Sequence, residues 1–188
     1  MTDNQPLVLA YGVGRDSTAI LVGWQQRGIR PDHIVFADVG SEKPETYAYL
    51  DVIRPWLKRV GFPDVTIVKY EPKHAPYTTI EGNMCMNCTL PSEVFGRGAC
   101  TIKWKIEPQN KWARHHPDFK HIFKSEDLKI VKAIGYEAEE QQRKDKMERE
   151  KDRLLEKENA KLAAKTAKKH SLSADRHYSY FYPLIEWG

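Results

Sequence analysis

Short apolar runs alternate with amphipathic stretches along most of this chain. Residues 7–11 (LVLAY), 33–37 (HIVFA), 65–70 (VTIVKY) and 129–134 (KIVKAI) are rich in β-branched or aromatic residues. Near-continuous apolar character over such lengths is the pattern of buried parallel strands. Between them, residues 16–28 space Ile20, Leu21 and Trp24 as a helix does. Residues 44–60 do the same with Tyr47, Leu50, Ile53, Trp56, Leu57 and Val60. This alternation predicts an α/β fold, an open and mostly parallel twisted sheet with helices on both faces and right-handed crossovers. No internal repeat is visible.

Residues 137–170 break the pattern. They contain no Gly or Pro and are rich in strong helix formers. Glu139/Arg143, Glu140/Lys144 and Asp145/Arg149 are stabilising i,i+4 pairs with the acid first. Met147, Leu154, Leu155 and Leu162 leave one thin apolar stripe, so a long, charged, solvated helix is expected. Its last turns carry Lys161, Lys165, Lys168, Lys169 and His170, which suit either nucleic acid or the helix dipole. Residues 178–187 (YSYFYPLIEW) return to core-like composition. The expected organisation is a nucleotide-binding α/β domain at 1–136, the helical extension at 137–170, and a segment at 171–188 that rejoins the domain.

Composition narrows the class. The chain has 188 residues, 40% of them hydrophobic, enough for one domain with a real core. A net charge of +4 permits an anionic ligand without demanding nucleic acid. Residues 1–8 (MTDNQPLV) lack the basic start and apolar stretch of a signal peptide, and no run approaches membrane-spanning length. Three cysteines, an odd number, argue against a secreted disulfide framework. A cytoplasmic protein without a membrane partner is therefore expected.

The stretch LVLAYGVGRDSTAILVGW (7–24) joins the first strand to the first helix through a glycine turn. It is not a dinucleotide fingerprint, because Ser17 stands where a third glycine is required, and no Gly-Lys pair makes it a Walker A loop. What remains is a turn with backbone amides to offer, then Asp16, Ser17 and Thr18 suited to N-capping at a helix start that favours an anion. The alternative is a purely structural turn. FADVGSEKPETYAYL (36–50) leaves the second strand at Asp38, turns through Gly40 and Ser41, and restarts a helix near Pro44–Glu45. Ligands in open α/β sheets lie beyond the carboxyl ends of the strands, where both turns fall.

These motifs resemble the adenine nucleotide alpha hydrolase-like superfamily, which includes N-type ATP pyrophosphatases (PP-loop enzymes) and phosphoadenosine phosphosulfate (PAPS) reductases. Gly14, Arg15, Asp16 and Ser17 match the last four positions of its S-G-G-x-D-S pyrophosphate loop, with Gly12 and Val13 replacing the usual Ser and first Gly. Asp38, Gly40, Pro44, Glu45 and Thr46 match its D-T-G-x-x-x-P-E-T segment. CTIKWKIEPQ (100–109) is similar to the C-S-x-K-W-K-x-x-P block of PAPS-reductase-like proteins. AIGYEAEEQQR (133–143) resembles G-I-R-A-D-E-S-x-x-R, with Gly135, Glu140 and Arg143 matching, and YPLIEW (182–187) resembles P-L-x-x-W. The five matches run in family order over nearly the whole chain.

The resemblance implies a Rossmann-like fold and an adenine nucleotide, ATP or a relative, cleaved between the α- and β-phosphates. A substrate oxygen would attack the α-phosphate and pyrophosphate would leave. Tyr11, Gly12, Val13, Gly14, Arg15, Asp16, Ser17, Thr18, Asp38, Gly40, Glu45, Gly135, Glu140 and Arg143 are the implied nucleotide-binding positions. Asp16 would help position Mg²⁺, and Lys103 or Lys105 would offset developing charge. PAPS reductases act through a cysteine near their C-terminus, and this chain has none after Cys100, so a true PAPS reductase is not expected. Adenylation of a substrate, with sulfur transfer as one sequel, and a non-catalytic subunit of a DNA-modification or defence assembly are the two readings left. A sulfur-donor protein, nucleic acid and a second copy of the chain stand as candidate partners.

Cys85 and Cys88 form C-x2-C, and Cys100 follows. Such a set reads as a metal or redox site. Zinc needs a fourth ligand, for which His74, His115 and His116 are available. A [4Fe-4S] cluster held by three thiolates would leave one iron open to sulfur, as the resemblance to thiolating relatives permits. A redox pair at Cys85/Cys88 and three ordinary loop cysteines are the other readings. Trp104 and Trp112, set among Lys103, Lys105, Lys111, Arg114, His115 and His116, suit base stacking or packing on the domain; packing is the expectation here.

Overall fold

The computed structural model describes residues 5–90, 101–125, 127–136 and 174–187, with helical positions 145, 148, 149, 152, 153, 155 and 156 between them. The charged segment 137–170 lies mostly outside the described residues, as do Cys100, Glu140 and Arg143.

Five strands form one open sheet: β1 (Leu7–Ala10), β2 (His33–Asp38), β3 (Val65–Lys69), β4 (Ile130–Ile134) and β5 (Tyr178–Phe181). Their order is β3-β2-β1-β4-β5, and every neighbouring pair is parallel. The chain thus builds outward from β1 in one direction through β2 and β3, then returns to place β4 on the other side. The helices are α1 (Arg15–Gln26), α2 (Pro44–Val60), α3 (Ile80–Asn87), α4 (Glu107–His115) and a short α5 (Pro183–Trp187). A π-helical turn, Ile102–Ile106, runs directly into α4.

Alternation along the strands divides the core between the two sheet faces. Leu7, Leu9, Ile34 and Phe36 pack with Ile20, Leu21 and Trp24 of α1 and with Leu50, Ile53 and Leu57 of α2. Val8, Val35, Ala37, Val68 and Ile130 pack with Ala113 of α4 and with Phe119 and Ile122 just beyond it. Two layers of cover explain why the strands read as continuous apolar runs. The expected four strands and two helices all form within one or two residues of their expected ends. Trp104 is buried and Trp112 packs against the second core cluster, as the packing reading expects. Among the described residues, no helix is long and apolar enough to cross a membrane.

Candidate functional site

Strand order reverses between β1 and β4, whose carboxyl ends part to leave a crevice. The chain leaves β1 at Tyr11 and turns through Gly12, Val13 and Gly14 into α1. Thr18 Oγ1 and Ser17 Oγ donate to the Gly14 carbonyl at 2.8 and 3.2 Å, while Ser17 Oγ accepts from the Gly12 amide at 3.3 Å. These bonds fold the turn over the helix start. Capping differs from the sequence expectation: Gly14 is the N-cap, no side chain caps the helix, and Ser17 and Thr18 hold the loop instead. A helix start without a side-chain cap retains its affinity for anions.

Val13 adopts φ +57°, a left-handed conformation that is costly for a β-branched residue. Gly14 is extended, and a Cβ added there would meet nothing within 4 Å. Gly135, just after β4, is the opposite case. A Cβ there would lie 3.0 Å from the Ser17 amide nitrogen and 3.3 Å from its Cα. Backbone passes against backbone at this point, which fixes the width of the crevice.

The crevice is a cleft of about 350 Å³, within the range of small-molecule sites. Gly12, Gly14, Asp16 and Ser17 form one end. Lys105 from the π-helical turn and Lys132 from β4 bring two cations to its lining, against the single carboxylate of Asp16. Phe36, Ile134, Tyr136 and Tyr180 give it apolar and aromatic walls, and Tyr136 is itself stacked on Tyr182 at 5.8 Å. Gln109 Oε1 lies in the same lining, buried and, among the described residues, without a hydrogen-bond partner. A buried acceptor left open beside a cleft is suited to a donor on a ligand. Tyr11 is buried there too, and burial pushes its phenol up to about 12, against the smaller opposing effect of the Thr18 hydroxyl. It therefore serves as a neutral hydrogen-bonding group rather than a base.

The remaining positions fall elsewhere. Asp38 is buried with its oxygens occupied: Oδ1 accepts from the Gly40 amide at 2.8 Å and the Tyr47 hydroxyl at 2.7 Å, and Oδ2 pairs with Lys69 at 2.9 Å. Burial opposes its charge, but these three donors together hold its carboxyl below the usual range. Gly40 has φ +75° and packs on Thr79, where a Cβ would come within 2.5 Å of that side chain. Asp38 and Gly40 thus shape the second turn. Glu45 lines a more open neighbouring hollow with Val13, Gly14, Arg15 and Thr18. Arg15 is highly exposed, 3.9 Å from Asp16.

The two lysines of the π-helical turn part company. Lys105 lines the cleft and lies 3.4 Å from Glu42. Lys103 bonds the Tyr77 hydroxyl at 3.1 Å and Asn83 at 3.3 Å, within 5.5 Å of the rings of Tyr70, Tyr77 and Trp104. That aromatic box is not part of the cleft lining. Cys85 and Cys88, in the last turn and at the C-cap of α3, are exposed free thiols. Among the described residues they share no three-residue ligand cluster with His, Asp or Glu. His115 bonds the Lys111 carbonyl, and His116 faces His33 and Asp118 instead.

Lys132 and Gln109 were not singled out in the sequence. A lysine inside the apolar run KIVKAI was the available signal for the first, since a charge in a doubly covered strand needs a reason. Compared with family models, curated proteins and solved structures, the chain finds no match.

Proposed function

We propose that this chain is a PAPS reductase-like enzyme of the Rossmann-like, adenine nucleotide alpha hydrolase-like class that binds ATP in the cleft and adenylates a substrate. The observation that carries the reading is the Gly12–Ser17 turn at the point of strand-order reversal, with no side-chain cap on α1 and Lys105 and Lys132 in the same lining. In this reading the β- and γ-phosphates lie on the turn and the helix start. Lys105 and Lys132 offset charge at the α-phosphate as pyrophosphate leaves. Phe36, Tyr136 and Tyr180 flank the base, and Gln109 Oε1 accepts from its exocyclic amine.

Magnesium fits this site modestly. Asp16 is a single, partly exposed carboxylate in the lining, and Mg²⁺ is commonly held by one or two carboxylates together with substrate phosphates. When bound, the ion would neutralise phosphate charge, and Asp16 would hold it at the mouth of the cleft. Two thiols on α3 supply half a tetrahedral sulfur set, and no step is assigned to zinc or a [4Fe-4S] cluster there. Sulfur delivery after adenylation, by a donor protein in the cytoplasm, completes the leading scheme.

One observation favours the non-catalytic reading. Lys103, the first lysine of the family-like K-W-K block, is held in the aromatic box rather than in the cleft lining. Pyrophosphate release from Mg·ATP across candidate acceptors, including nucleic acids, separates the two. Turnover with any acceptor supports the enzyme; saturable ATP binding without release across the panel supports a binding subunit.

A further inference from the structure

We propose that His33, His116 and Asp118 form a binding site for a divalent cation of the zinc class, at the end of the sheet opposite the cleft. His33 is the first residue of β2, and the cleft begins at Phe36 and Ala37, three to four residues or about 10–13 Å further along the strand. The site is thus independent of the nucleotide reading.

Local structure aims all three groups at one point. His116 caps the C-terminus of α4; its amide bonds the Trp112 and Ala113 carbonyls while its backbone turns extended. The following 3-10 turn, Pro117–Phe119, brings Asp118 back beside it. Asp118 Oδ2 then lies 3.2 Å from His33 Nε2 and 3.6 Å from His116 Nδ1. All three ligand atoms lie within 4.8 Å of one another. Zinc bound to nitrogen at about 2.0–2.1 Å in a tetrahedron separates its ligands by about 3.3–3.4 Å. The two distances to Asp118 bracket that value, and the 4.8 Å bound on the third leaves at most about 1.5 Å to close.

A second observation concerns His116 itself. Its Nδ1 is buried and, among the described residues, has no hydrogen-bond partner, Asp118 Oδ2 standing just beyond bonding range at 3.6 Å, an expensive state unless the lone pair is used. Trp112 and Phe119 flank both rings, with centroids 4.9–5.3 Å away, and keep the imidazoles from turning to solvent. Two imidazoles and a carboxylate are donors for zinc and its neighbours rather than for calcium or magnesium. Asp118 remains exposed, which leaves a path for the ion and a fourth position for water. A bound cation would fasten the amino end of β2 to the corner after α4.

The test must exclude the thiols. The full chain carrying Cys85→Ser, Cys88→Ser and Cys100→Ser, freed of metal by chelator, is titrated with zinc by calorimetry and melted with and without it. One zinc per chain and a higher melting temperature with zinc are expected. Adding Asp118→Asn or His116→Gln should weaken zinc at least tenfold. Asp118 is exposed, so the metal-free Asp118→Asn chain should melt as its parent does. If the folded cysteine-free chain takes up no zinc, or takes it up equally well with Asp118→Asn and with His116→Gln, the site does not exist.

Discussion

Val13 stands where the pyrophosphate loop that this turn resembles has its first glycine, and the structure gives the difference a physical meaning. The family loop has glycine there, and the backbone keeps the glycine conformation at φ +57° although the residue is valine. The valine side chain is buried in the core beside α1. Burial of a valine contributes about 1.5 kcal/mol or more, while the strain costs about 1–3 kcal/mol, so the two nearly cancel. Val13→Gly should then shift stability by no more than about 1 kcal/mol, whereas Val13→Ala loses burial and keeps the strain. Chemical denaturation should rank Val13→Ala below Val13→Gly, the reverse of the usual order. Asp38 makes a second prediction at this scale. Its folded carboxyl titrates below its unfolded value, so its contribution is complete above the unfolded value of about 4. That contribution fades as pH falls through the lower folded value. Asp38→Asn should cost about 1–2 kcal/mol at neutral pH. The difference from wild type should shrink in acid, below about pH 4; a constant gap from pH 7 to 2 would contradict the assignment.

Among the elements, the contact between the end of β4 and the start of α1 does most to define the cleft. Gly135 is conformationally ordinary but sterically required, because Ser17 backbone occupies the space of its side chain. Gly135→Ala must push α1 outward by a few tenths of an ångström or more. It should reduce nucleotide affinity by about tenfold while lowering stability by only 1–2 kcal/mol, about the range of mild overpacking. Affinity equal to wild type would show that the spacing of this contact is irrelevant to the ligand. The strands and first two helices were legible because doubly covered strands and one-sided helices leave different apolar periods. β5 was not identified as a strand, since YSYF mixes aromatic and polar positions and its partner β4 is distant in sequence. The π-helical turn was equally invisible, and with it the separation of Lys103 from Lys105. Hydroxyls expected to cap α1 instead bond the Gly14 carbonyl, a choice made by the tightness of the turn.

At the scale of the molecule, one sheet carries two separate side-chain arrangements at its two ends. The carboxyl ends of β1, β2 and β4 open into a cationic, aromatic-walled cleft, and the amino end of β2 meets the imidazole–carboxylate cluster. Neither arrangement follows from composition. The cleft was anticipated because its turn is contiguous in the chain, whereas His33 and Asp118 meet only after β2 and the turn beyond α4 have packed. The central claim is that the Gly12–Ser17 turn holds nucleotide phosphate. Gly14 tests it cleanly, since its backbone is extended and a Cβ added there meets no protein atom within 4 Å. Gly14→Val should therefore fold and melt like wild type, but its side chain would occupy the place assigned to phosphate. Calorimetric titration of Mg·ATP into both proteins is the measurement. One saturable site in the wild type, weakened at least tenfold in Gly14→Val, is the predicted result. Equal binding by the two folded proteins, or no binding by the wild type, would contradict it.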